Sequence, residues 1–462
     1  MIKKLYAAVA ALFILIVAQS CIEDGYTTSA SSQPTFSADT LDMGTYFTGQ
    51  LTPTARFVVH NRHDKVLNIS NVTLREGDAG AFSVNVDGLA GTQFANVEIR
   101  PNDSIYVFVK ATLPVNSSPE LTEVKGHLDF LTNGVTSTVV LRAAGQDVER
   151  RSAVEVTADE RWGAQYPYQI FDSLVVREGA TLRLDPGVRL HFHDGAYLRV
   201  YGSLVTEGTP EALVEMTGDR TDNVVGDISF DLMASQWQGL HFAPQSRGNR
   251  LSHTVVRNTV EGVMADSLSA VEMVNCRLRN SAGMALTTRH ASVRLIGCEI
   301  ADASYGAMLM HGGEVTANHC TFANYYLFTA PRGAIVQFGH YNAESDDGSG
   351  MPYLKADISN SIAYGLGTDF SEGDFTGTDV FVRSCVLKSA GSDDDNFIGC
   401  LWDTDPSFAT VRNDYYFDYR LKDDSPALQH ADPSLTLPEA ALDLYGTPRL
   451  PAPRPGAYQE SL

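Results

Sequence analysis

Between Leu251 and Ala330 the chain repeats itself every 22 residues. Cys276, Cys298 and Cys320 keep that interval, and Thr254 stands one interval before the first. Asn258, Asn280, Asp302 and Asn324 keep it too, as do Val256, Leu278, Ile300 and Phe322, and Met264, Leu286, Met308 and Ala330. Registers in phase over successive turns mean stacked repeat units, each supplying one winding of a solenoid.

A unit of this length is too short for a helix pair. Its pattern is Val271-x-Met273-x-x-Cys276, Val293-x-Leu295-x-x-Cys298 and Val315-x-Ala317-x-x-Cys320. Alternation with period two sets the first and third residues on one face of a strand. Stacked strands of this kind form a parallel β-helix, with equivalent positions about 4.8 Å apart. The apolar registers are then core ladders. The Asn/Asp register is expected to be a ladder of side-chain hydrogen bonds at a turn, and the Thr/Cys register an interior ladder of small, free thiols. Each winding supplies one thiol, and stacked strands do not easily converge three ligands tetrahedrally on a metal.

The chain carries 34 Lys and Arg against 56 Asp and Glu, for a net charge of −22. Such a surface does not invite nucleic acid or anionic polysaccharide.

At the N-terminus, Lys3 and Lys4 precede an apolar run from Leu5 to Val17, too short for an ordinary spanning helix. Val17-Ala18-Gln19-Ser20-Cys21 resembles a bacterial lipobox, with Ala18 where Leu is commoner. The resemblance implies a signal peptide over residues 1–20, lipidation of Cys21, and a tether over residues 21–33. Two or three acyl chains anchor a protein firmly in a membrane. Glu23 and Asp24 resemble the surface-export signal of Bacteroidota lipoproteins, which implies an outer-membrane, cell-surface address.

Residues 34–148 read as short alternating strands separated by Gly, Asn, Asp and Pro, the pattern of a β-sandwich. No Cys or Trp lies between Phe36 and Val148. Leu41-Asp42-Met43-Gly44, Phe57 to Asn61, Ile99-Arg100-Pro101-Asn102-Asp103 and Gly126 to Phe130 resemble the immunoglobulin-like modules of abnormal-spindle/Hydin type, which implies a spacer or binding platform. Residues 149–160 are charged and read as a linker.

The coil domain is expected over residues 161–417. Its opening has a glycine every six to eight residues, as in Gly179, Gly187, Gly195 and Gly202. This is similar to the first coils of extracellular right-handed β-helix proteins. Trp162, Tyr166 and Tyr168 are expected to cover the first coil. His191 and His193 share one face of a strand, without a visible third metal ligand. The tail, residues 418–462, resembles the C-terminal segment of choice-of-anchor Q β-helix proteins at Asp418-Tyr419-Arg420-Leu421, Ser425-Pro426-Ala427, Asp443 to Arg449 and Gly456-Ala457-Tyr458. His430-Ala431 departs from that pattern. The expected role is a cap on the last coil. The fold class is thus all-β: a β-sandwich followed by a right-handed parallel β-helix of about 22 residues per coil.

The repeat breaks after Asn324. The interruption carries Tyr325, Tyr326, Arg332, His340, Tyr341, Glu344, Asp346 and Asp347, a mixture of aromatic and polar groups that suits sugar rings. These are the candidate ligand-binding residues; the other reading of the interruption is a lid or packing excursion over the coil. Asp393, Asp394 and Asp395 form an acidic loop that offers oxygen ligands to calcium, though without EF-hand spacing.

A catalytic set is not legible. Lysis needs a base and a cation beside the substrate carboxylate, but the coil domain and tail hold only Lys355, Lys388 and Lys422, scattered. Hydrolysis needs paired carboxylates. Asp346-Asp347 and Gly339-His340 lack the companions of the polygalacturonase series. The expectation is a non-catalytic glycan-binding or adhesive module with a polysaccharide or a host or envelope protein as ligand. A lyase or glycosidase, and a structural envelope component, are the alternatives.

Overall fold

The computed structural model describes residues 25–462 except 79, 226–227, 331, 340–353, 372, 374, 377 and 414. The lipobox, Cys21, Glu23 and Asp24 lie outside the described residues. The chain divides into two compact units between Asp147 and Val148.

The first unit is a β-sandwich of two five-stranded sheets. In one, Ala55–His60 pairs antiparallel with Ser104–Ala111. In the other, Val135–Gln146 lies between Thr122–Thr132 and Thr40–Phe47, antiparallel to the first and parallel to the second. Alternate residues point inward, so Phe57, Val59, Ile69, Val72, Val107, Leu128, Phe130, Val139 and Leu141 form the core. Asn61 is fully buried, and its amide donates to the carbonyls of Lys65, Ile99 and Arg100.

The second unit is a parallel β-helix, a 24-stranded sheet wound on itself. Three columns of strands make three faces. On the first, Leu198, Leu240, Val263, Leu286, Met308 and Val336 stack as one core rung over another. On the second, the rungs are Leu251, Met273, Leu295, Ala317, Ile358 and Val382. On the third, they are Val256, Leu278, Ile300, Phe322, Ala363 and Leu387.

One expected register is corrected. Met264 pairs with Thr287 and faces outward, while Val263 stacks on Leu286. That winding has 23 residues rather than 22 at this face, because its corner holds one residue more. Val336, not Ala330, continues the rung from Met308.

The thiol register holds. Cys276, Cys298 and Cys320 are wholly buried and free, and each donates to a carbonyl of the preceding winding, Leu251, Met273 and Leu295, at 3.3–3.4 Å. The Asn/Asp register is a turn, as expected, with Asn258, Asn280 and Asp302 at φ 67°, 53° and 54°. Their short polar side chains tolerate this left-handed region. They do not bond one another, however. Asn258 and Asn280 donate to the carbonyl of Asp231, and Asp302 accepts from Tyr325 N and Tyr419 Oη. A second left-handed corner runs through His253, Asn275, Gly297, His319, Asn360 and Ser384.

Residues 149–160 are not a linker. Glu149–Val156 is the first strand of the helix, parallel to Tyr168–Val176, and Glu160–Trp162 pairs with Thr181–Leu184. Charged residues on its outward positions hide the period in the sequence. Trp162 and Tyr168 stack at 4.8 Å with the Arg151 guanidinium over both rings.

The tail does not sit on the last coil. It lies along the third face, where Phe408, Tyr419, Leu421, Ala427, Leu444, Ala457 and Tyr458 pack on Ala301, Ala323, Ile362 and Val386. The last windings close instead on Phe338, Phe370, Phe375, Phe397 and Trp402, whose rings pack edge and face at 5.0–6.0 Å.

Candidate ligand-binding face

Outward residues of the first face alternate with its core rungs. Arg199, His241, Met264, Thr287, Leu309 and Gln337 follow one another in register. At ~4.8 Å per step this strip is about 24 Å long. Beside it run Gly239, Gly262 and Gly306 at φ 126°, 73° and 133°. A Cβ at Gly239 would lie 2.3 Å from the Gly262 carbonyl, and one at Gly262 would lie 2.2 Å from that of Met284. Close stacking therefore requires glycine at both. Its by-product is a patch of bare backbone at Gly239 and Gly262, whereas the side chains of Met284 and Gln337 lie over Gly306.

Around this patch, Tyr197, Arg199, Gln238, His241, Glu261 and Met264 line a groove of about 220 Å³. The Arg199 guanidinium lies 5.5 Å from the Tyr197 ring centroid, and its Nε is buried without a partner. His241 Nε2 lies 3.3 Å from Asp266 Oδ2. Burial, and then the charge of Arg199, hold the imidazole below its ordinary pKa. It is therefore neutral at pH 7, with Nδ1 open as an acceptor when Nε2 donates to Asp266. Further along the face, Arg332 Nη1 donates to Tyr305 Oη at 2.9 Å, and Gln337 Nε2 donates to the Tyr305 carbonyl at 2.7 Å. Tyr305 is 43% exposed.

Of the residues expected in the interruption, Arg332 alone lies on this face among those described. Tyr325 and Tyr326 do not form an open platform. The Tyr325 ring lies 6.2 Å from Tyr419 and 6.4 Å from Phe408, under the tail. Tyr326 is 7% exposed, and Arg412 donates to the carbonyls of both. Burial raises the pKa of both phenols. Tyr325 thus packs on Phe408 and Tyr419, and the Tyr326 ring packs edge-on against Phe328 at 5.9 Å, so burial of apolar area outweighs their exposure to water. His340, Tyr341, Glu344, Asp346 and Asp347 lie outside the described residues.

The acidic loop is occupied with its own backbone. Asp393 accepts from Gly399 N, Cys400 N and Trp402 Nε1, and Asp394 Oδ1 from Asn396 N and Phe397 N. The bond from Trp402, with those from Cys400 and Gly399, holds the Asp393 carboxyl below its usual pKa despite some burial. Among the described residues, no three His, Cys, Asp or Glu side chains converge as a metal set. His191 is pushed down to about 4 by burial, while His193 pairs with Asp219 at 2.8 Å.

The most perturbed carboxylates are sealed under the tail. Glu299 is fully buried, paired with Arg279 and receiving the Tyr458 hydroxyl. Burial pushes its pKa up, but the Arg279 charge and hydrogen bonds outweigh this and hold it below normal. Burial pushes Asp302 up to about 6, against the Tyr419 hydroxyl bond. Neither faces solvent, and each accepts a tyrosine hydroxyl of the tail.

Local sequence does not single out Arg199 and His241, which stand 42 positions apart yet share one register. The signal is a polar residue held between two core residues, in Leu198-Arg199-Val200 and again in Leu240-His241-Phe242.

No protein-family model matches the chain, and no curated protein matches it. Among solved structures it is similar to a family 123 glycoside hydrolase from Clostridium perfringens, at 12% identity and TM-score 0.17 over 24% of this chain and 25% of that one. It thus spans about a quarter of the hydrolase's length. It is also similar to an ASH / PapD-like domain of human CEP192, at 10% identity and TM-score 0.18 over 26% of this chain and 89% of that one. Neither likeness extends to a functional inference.

Proposed function

We propose that this protein is a lipid-anchored outer-membrane protein, exposed at the cell surface, whose β-helix binds glycans without turning them over. The kinship that fits the sequence motifs is a Bacteroidota-type surface lipoprotein, with an abnormal-spindle/Hydin-like module as spacer and a right-handed, choice-of-anchor Q-like shaft. Cys21, in its lipobox, is the anchor.

The observation that carries the binding reading is the groove on the first face. Tyr197 supplies an aromatic ring, Arg199 and Gln238 supply donors, and neutral His241 and Glu261 supply acceptors beside a bare backbone floor. A sugar presents an apolar ring face rimmed with hydroxyls, and this lining is complementary to both. One carboxylate, Glu261, lines the groove, whereas glycoside hydrolysis needs two across the scissile bond.

A glycan array, followed by reducing-end and unsaturated-product assays on every hit, tests the reading. Binding that Tyr197→Ala or His241→Ala lowers at least tenfold, with no product, supports it. Product release makes the protein an enzyme. A blank array favours a structural envelope component.

A further inference from the structure

A separate recess of about 270 Å³ runs along the corner between the first and second faces. Arg247, Leu268, Ser269, Ser292, Glu314 and Lys355 line it. On the adjoining second face the cations are matched: Arg250 lies 3.3 Å from Glu272, Arg294 lies 3.0 Å from Glu439, and Arg383 pairs with Asp357. Arg247 and Lys355 form no ion pair, and neither charged head is hydrogen-bonded among the described residues. In a chain of net charge −22, two cations that make no ion pair share this recess with one carboxylate, Glu314, the register partner of Lys355.

Ser269 is an independent observation. It is 1% exposed, and its Oγ is buried with no hydrogen-bond partner. A buried hydroxyl is costly to leave unpaired, and the recess it lines is the side from which a partner can come. The floor is smooth, because a Cβ at Gly313 would lie 2.3 Å from the Ala291 carbonyl. Leu268, at φ 61° and 52% exposed, forms an apolar wall.

Register sets the spacing of the cations. Arg247 belongs to the winding before Ser269, and Ser292, Glu314 and Lys355 follow in successive windings. At ~4.8 Å per winding the two cations lie about 19 Å apart along the corner. We propose that this corner binds a short acidic oligosaccharide. Its carboxylates meet Arg247 and Lys355, a ring between them lies against Leu268 and Ala291, and Ser269 and Glu314 bond its hydroxyls. The proposal rests on the reading of the shaft as a glycan-binding surface, but on a different part of it.

The test is calorimetric titration of the full chain with a tetrameric oligogalacturonate and with its carboxyl-reduced counterpart. The acidic probe should bind at least tenfold tighter, with an affinity that falls as salt rises. Arg247→Gln and Lys355→Gln should each weaken it three- to tenfold, Ser269→Ala should weaken both probes, and Lys110→Gln in the sandwich should change neither. Equal affinity for the two probes, an acidic preference that survives the Arg247→Gln/Lys355→Gln double variant, or no binding of either probe would overturn the proposal. Equal binding that Tyr197→Ala abolishes overturns the corner and leaves the groove reading standing. Acidic binding that the double variant abolishes and Tyr197→Ala spares, beside a blank neutral array, does the reverse.

Discussion

Replacing Glu299 with glutamine keeps the shape of the most enclosed ion pair on the third face and removes one of its charges. The Glu299 side chain is 0% exposed and that of Arg279 is 23% exposed. Removing one partner of a buried pair costs about 3–5 kcal/mol, because the other charge is left uncompensated. The partial exposure of Arg279 lets water carry some of that charge, so the lower end, about 3 kcal/mol, applies. Glu299 also receives Tyr458 from the tail, so the loss falls on tail docking. Every 1.4 kcal/mol or so is a factor of ten, so the detached state should gain about a hundredfold. A melting temperature is the wrong measure, since long repeat arrays need not unfold in one step. Native-state hydrogen exchange is the right one. The reporters are Leu437 N on Asn318, Asp432 N on Asn360 and Ala457 N on Thr321, against Leu240 N on the first face. The three tail amides should lose about two decades of protection while Leu240 changes little. A loss shared equally by all four, or a tail loss under threefold, would refute the reasoning.

The same network makes tail docking pH-dependent. Asp302, raised to about 6, adds stability that is full below its unfolded value of 3.8 and is lost as pH rises through about 6. Glu299, held low, adds stability present above its unfolded value of 4.5 and lost as pH falls. Tail protection should therefore fall roughly tenfold from pH 5 to pH 7, and Asp302→Asn should flatten that fall in exchange measurements corrected for intrinsic rates. Gly262→Ala places a Cβ 2.2 Å from the Met284 carbonyl at φ 73°, so it should destabilise the first face by more than about 2 kcal/mol, read as lost protection at Leu240. Among the five shaft cysteines, a thiol reagent should label half-buried Cys400 first and the four buried ones only after unfolding, counted by peptide mass. Prompt labelling of Cys298 would contradict the interior ladder.

The shaft was legible because stacking imposes one interval on side chains that never meet along the chain. Cys276, Cys298 and Cys320 carry that interval wherever a winding has no insertion. Legibility ended where winding length changes. Leu198 and Leu240 are one rung apart but 42 residues apart, and Met308 and Val336 are 28 apart. Each insertion resets the phase, so the groove residues that flank those jumps could not be aligned by counting. For Tyr325 and Tyr326 the sequence leaves a binding face and a packing excursion both open, for another reason. An aromatic beside a loop reads as exposed until the segment that buries it is located, and that segment lies more than 80 residues further on. The interior of the shaft follows from local alternation, whereas its outer surface depends on which distant segment comes to lie on it.

The left-handed corner has a consequence for how such a chain can grow. Asn275, His319 and Asn360 turn the chain there, and their side chains also reach Leu442, Arg454 and Asp432 of the tail. Neighbouring Asn318 takes Leu435 and Leu437 in the same way. Each hook is matched to one stretch of tail, like notches against a ruler. Duplicating or deleting a single turn would put every later notch opposite the wrong mark, so the count of turns and the length of the closing segment are tied to change together.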